Sequence, residues 1–102
     1  MTDRFRTQHP EPSKQGVNID RGKYTTIRNT IESVLFEQGT MSFVDLGDAV
    51  KDRLVDTFDS SISWYYTTVK LDLEARGVIE RVGNKSPQQI RLITRGNQIA
   101  NP

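Results

Sequence analysis

The chain of 102 residues contains no cysteine. That absence removes disulfides, thiol nucleophiles and cysteine-based zinc sites together, and it suits a reducing cytoplasm. Histidine is almost as scarce. The single His9 stands in a proline-flanked leader and reads as solvated, because a zinc site needs three or four ligands. Only 34% of residues are apolar, and no apolar run approaches the roughly 18–20 residues of a membrane helix. The leader MTDRFRTQHPEPSK lacks the apolar core of a secretory signal. A single soluble cytoplasmic domain without a membrane segment is the expectation. Glycines are scattered and form neither a Walker A loop nor a dinucleotide fingerprint. Met1 and Met41 make no metal site, and Tyr24, Tyr65 and Tyr66 fall on helical stripes as core residues. No enzyme activity, cofactor, metal or small-molecule ligand is therefore expected.

What is present is an uneven charge distribution and a clear apolar periodicity. The net charge of +1 divides into +2 over residues 1–23, −4 over 24–60 and +3 over 61–102. Such asymmetry can steer a polyanion to one face, although +3 over the last segment is also an ordinary surface. Residues 1–19 carry two prolines and no apolar period, and read as an extended or disordered arm whose end Val17 and Ile19 anchor. A folded domain is expected over 20–96 and a short tail over 97–102.

Within the domain, Asp20 is a good N-cap. Tyr24, Ile27, Ile31, Val34 and Leu35 then give one apolar stripe, closed by Gly39. Thr40-Met41 is a short extended link. A second helix follows Ser42, with Phe43, Leu46, Val50 and Leu54 inward and Asp45, Asp48, Lys51, Asp52 and Arg53 solvated. Residues 55–60 form a turn with Phe58 tucked inward. A third helix runs from about Ser61 to Arg76 on an inner stripe of Ile62, Tyr66, Val69 and Leu73, and Gly77 closes it. Val78–Val82 and Gln89–Ile93 read as two strands joined by the turn GNKSPQ.

The segment TTVKLDLEARGVIERV (67–82) resembles the passage from recognition helix to wing in bacterial winged-helix regulators, and RLITRG (91–96) resembles their exit from the wing. Over HPEPSKQGVNIDRGKY (9–24), MSFVDL (41–46), SISWYYTTVKLDLEARGVIERV (61–82) and SPQQIRL (86–92), the chain is similar to a family of small single-domain bacterial winged-helix proteins of unassigned function. The resemblance implies an α+β, mainly α, winged helix-turn-helix: three helices and a two-stranded β-hairpin wing. In these folds the link before the second helix often pairs with the hairpin. One position departs from the regulator pattern. Seven residues before Gly77 an apolar residue is usual, and here Lys70 stands, so the helix is rotated or Lys70 snorkels.

Helix-turn-helix proteins place the second helix of the motif in the major groove. Here its outward residues are Ser63, Trp64, Thr67, Thr68 and Leu71; Ser63, Thr67, Thr68 and Lys70 would lie near the groove, with Arg81, Lys85 and Arg91 on the wing for phosphates and Arg4, Arg6, Lys14 and Arg21 offered by the arm. That pattern gives a DNA-binding transcriptional regulator, dimeric on an operator, with double-stranded DNA as partner. A second reading rests on Trp64 and Leu71, which lie opposite the inner stripe. The outward face lacks the arginine, asparagine or glutamine that usually reads bases, and Glu74 close by would repel phosphate. An exposed Trp and Leu mark a surface that something covers. The cover would be a partner subunit or the arm, making the chain a protein-interaction or dimerisation module.

Overall fold

Three side-chain caps set the helices. In a computed structural model, which describes residues 3–83 and 87–93, Asp20 accepts the Lys23 N–H (2.9 Å), Ser42 that of Asp45 (3.0 Å) and Ser61 that of Trp64 (3.2 Å). Each cap satisfies one of the N–H groups that a helix start leaves without an intrahelical partner. Helix α1 then spans Arg21–Gln38, α2 Phe43–Leu54 and α3 Ile62–Ala75. Gly39, at φ +80°, returns its N–H to the Leu35 carbonyl (2.8 Å) and ends α1.

Among the described residues five short strands accompany them: β1 Arg4–Arg6, β2 Asn18–Asp20, β3 Met41–Ser42, β4 Ile79–Val82 and β5 Gln89–Leu92. They form two antiparallel sheets, one of β1 and β2 and one in the order β3-β5-β4. Over the described residues the chain is thus α+β, with three helices and two small sheets. The link before α2, which the resemblance expects to pair with the two-stranded hairpin, does so: Met41 and Ser42 pair with Ile90 and Gln89 and add a third strand.

The core lies where the three helices meet one face of the β3-β5-β4 sheet. Ile27, Ile31, Val34, Leu46, Val50, Val69, Leu73, Ile79 and Ile90 are buried there. Phe43, Phe58 and Ile62, expected inside, are half-buried at its margin. The α2–α3 crossing is close because Gly47 has no side chain: a Cβ there would stand 2.8 Å from the Tyr66 ring. The Tyr66 hydroxyl in turn donates to the Phe43 carbonyl (2.6 Å) and pins the same crossing.

The arm is built into the fold. Strand β1 pairs with β2 in register Phe5↔Ile19, and the Phe5 ring stacks on Tyr24 with centroids 4.0 Å apart. Ile19 is the buried anchor; Val17, expected beside it, is 40% exposed. Residues 7–17 make a closed loop, with Thr7 N–H donating to Val17 O (2.9 Å) and Val17 N–H to Thr7 Oγ1 (2.8 Å). Gly16 lets the loop close, since a Cβ there would lie 1.8 Å from the Thr7 carbonyl oxygen. Lys85, the exit residues 94–96 and the tail 97–102 lie outside the described residues. Among the described residues no helix is long and apolar enough to cross a membrane.

Candidate functional site

Helix α3 turns its outward ridge to solvent between two flanks. Ser63 and Thr67 are exposed on it, and Trp64 is 48% exposed. Thr68 and Leu71, placed on the same face by the sequence, are half-buried. The Trp64 ring is held edge-on against Tyr65 (5.1 Å), which packs edge-on against Phe58 (5.3 Å). Trp64 is thus propped on the core's margin and leaves its outer side free for contact.

Lys70 does not stand near a groove. It is 3% exposed, with Nζ 2.9 Å from Glu74 and 5.2 Å from the centre of the Phe43 ring. Burial pushes its ammonium below the usual lysine range, and Glu74 opposes that shift. The departure from the regulator pattern therefore resolves as an internal ion pair rather than a snorkelling side chain. Glu74 is also withdrawn from solvent, held by Lys70 and by Arg81 (3.2 Å). Arg91 pairs with Glu80 at 2.6 Å. Exposed pairs of this kind are weak. They leave both arginines movable, but they lower the positive charge that this sheet presents.

The first flank of α3 is the arm. A cleft of about 190 Å³ opens between the loop (Thr7, Gln8, His9, Gln15, Gly16, Val17) and Trp64, Thr68 and Leu71 of the helix. Asp72 fixes the loop in place. Its fully buried carboxylate accepts the Gln8 N–H (2.8 Å), the Tyr24 hydroxyl (2.5 Å) and Arg76 Nε (2.9 Å). Burial and the bond to this carboxylate push the Tyr24 phenol up to about 12. Arg76 and Arg21 also reach the Arg6 and Arg4 carbonyls (3.4 and 3.3 Å), and each guanidinium lies about 5 Å from the centre of the Phe5 ring. The side chains of Arg4 and Arg6 bond the Asn18 carbonyl (2.6 Å) and the Gln15 side-chain oxygen (3.4 Å), neither of which is a carboxylate. Arg6 thus places a cation on the rim of the cleft, and Arg4 stands two residues along on the same face of β1, while Arg21 and Arg76 are paired with Asp3 and Asp72.

The second flank is α2. A cleft of about 170 Å³ runs between Phe43, Val44, Gly47, Asp48 and Lys51 of α2 and Ile62, Ser63, Tyr66 and Thr67 of α3. Asp45, Asp48 and Asp52 are exposed along this side of the molecule. Among the described residues no lysine or arginine pairs with them. Val44 and Val55 stand out beside them at 63% and 65% exposed. Burial and the charge of Asp48 together hold the Tyr66 phenol above its ordinary range.

Of the residues expected at DNA, the structure brings Ser63 and Thr67 to one open face and half-covers Thr68. Lys70 is buried against Glu74, Arg81 and Arg91 are exposed but paired with Glu74 and Glu80, and Lys85 lies outside the described residues. Sequence reasoning did not single out Asp72. The available signal was a carboxylate on the inner side of a helix, one residue before the buried Leu73 and four before Arg76. Among the described residues no group of histidine, aspartate and glutamate side chains is arranged to hold a metal.

No curated protein and no solved structure matches the chain. A family model does match, over residues 4–90, from the first residue of β1 into β5. Arm, helices and most of the sheet are thus one inherited unit, and the chain belongs to a family of unknown function, DUF6958.

Proposed function

We propose that the chain is a winged-helix docking module whose α3 face receives another protein rather than a DNA groove. The winged-helix reading is supported by the order α1-β3-α2-α3-β4-β5 and by the pairing of the short β3 with the return strand β5. The docking reading is carried by one observation: α3 is walled on both sides, by the aspartate-bearing ridge of α2 and by the loop of residues 7–17. On one side Asp48 shares a cleft with Ser63 and Thr67, the residues that would meet DNA. On the other, the loop of residues 7–17 forms a wall beside Trp64, Thr68 and Leu71. The major groove is about 12 Å wide and a helix with its side chains fills about 10–12 Å of it. A helix carrying a second wall is too broad to enter. The clefts also fall below the roughly 300 Å³ at which small-molecule sites begin, and each suits a single inserted side chain.

The expectation of a DNA-binding transcriptional regulator is the weaker reading and is directly testable. Mixed-sequence duplex is titrated with the protein at low salt and again at higher salt. If roughly four cations met phosphate, log K would fall with log salt at a slope near −3.6. The docking module is expected to show no saturable binding. Salt-dependent binding that Thr67→Glu removes would overturn this reading.

A further inference from the structure

The two flanks of α3 are complementary to one another. The loop flank has a cleft lined by uncharged groups and His9, an apolar lip of Trp64, Val17 and Leu71, and Arg6 bonded to Gln15 on its rim. The α2 flank has Asp45, Asp48 and Asp52 on an exposed ridge, only partly offset by Lys51 of the same cleft, with Val44 and Val55 projecting beside them. One flank offers a hole and positive charge; the other offers apolar knobs and negative charge. Both belong to the same molecule and lie on opposite sides of the same exposed ridge of α3. We propose that a second copy of this chain covers the α3 face, docking about a two-fold axis that sets the α2 ridge of each copy against the loop flank of the other.

A two-fold axis through the Ser63–Trp64–Thr67 ridge makes both contacts at once. In an isologous interface, residue i meets j and j meets i, so Arg4 and Arg6 of each copy face the aspartates of the other. Val44 of each copy enters the opposite cleft beside Trp64, and the two Trp64 side chains lie near the axis. Trp is among the residues that dominate interfaces when surrounded by contacts that exclude water. Like charges decide against the other two-fold overlay, with the axis crossing α3 at right angles, because it would set α2 ridge on α2 ridge and arginine on arginine. The proposal deepens the docking reading and rests on it, since it names the partner of the same face.

Charge exchange between two variants tests the proposal. Variant one carries Arg4→Glu and Arg6→Glu; variant two carries Asp48→Lys and Asp52→Lys. All four positions are exposed, so both chains are expected to fold, and circular dichroism checks this. Sedimentation equilibrium is expected to give a dimer for the unaltered chain, weakened by salt, and a monomer for each variant alone. An equal mixture of the variants is expected to restore the dimer, because each contact then pairs opposite charges. Trp64→Ala is expected to raise the dimer dissociation constant about thirtyfold or more. A monomeric unaltered chain at all concentrations would overturn the second copy as partner, and so would a mixture that stays monomeric. Neither result touches the docking reading, which fails separately, on saturable duplex binding.

Discussion

At the scale of single residues, two charged side chains inside α3 decide how the rest of the molecule is arranged. Asp72 gathers the arm, α1 and its own helix through Gln8, Tyr24 and Arg76. Lys70 is held by Glu74 within one turn of the same helix. Removing Asp72 leaves the Gln8 N–H and the Tyr24 hydroxyl without their acceptor, together at about 2–5 kcal/mol. Asp72→Ala is therefore expected to lower unfolding free energy by about that amount in urea titrations. It should also open the loop, which would show as faster amide exchange at Gln8 and Val17. Unchanged exchange there would mean that Asp72 does not hold the loop. Lys70 could be noticed in the sequence as the wrong kind of residue at an inner position, but its partner and its burial could not. Asp72 was hidden more deeply, because its main-chain partner Gln8 is 64 residues away in sequence.

At the scale of elements, local signals were strong where the physics is local. Asp20, Ser42 and Ser61 cap helices within a few residues of themselves, and Gly39 stops α1. Apolar stripes recurring every three or four residues placed the inner faces of α1, α2 and α3. The β1–β2 pairing was not legible in the same way, and the third strand of the larger sheet was expected only through the resemblance. Strand pairs join distant residues, and β1 has only Phe5 to bury. The close approach of α2 to α3 is another tertiary fact written in one local letter, Gly47. Alanine there would gain about 1 kcal/mol of helix propensity, yet its Cβ would press on a ring whose hydroxyl is already fixed to Phe43. Gly47→Ala is expected to cost about 1–3 kcal/mol net in thermal or urea unfolding, as overpacking usually does. A stabilised variant would show that Tyr66 yields freely.

At the scale of the whole molecule, charge is arranged in two layers. Ion pairs such as Arg53–Glu37, Arg28–Glu32 and Lys23–Asp59 tie neighbouring segments together and cancel locally. What remains beside α3 is the ridge of Asp45, Asp48 and Asp52 with Lys51 on one side, and Arg6 on the rim of the loop cleft, with Arg4 next along β1, on the other. The segmental charges of −4 over 24–60 and +2 over 1–23 announced this polarity in the sequence. They did not reveal that the two would flank one helix, because that depends on the arm folding back across it. Trp64, the chain's one tryptophan, sits at the centre of that face and reports on it without a label. The most direct measurement follows its fluorescence emission in a dilution series, with and without mixed-sequence duplex DNA. A docking face covered by a second copy predicts a blue shift as protein concentration rises and no response to duplex. Emission that ignores protein concentration and responds saturably to duplex would contradict it.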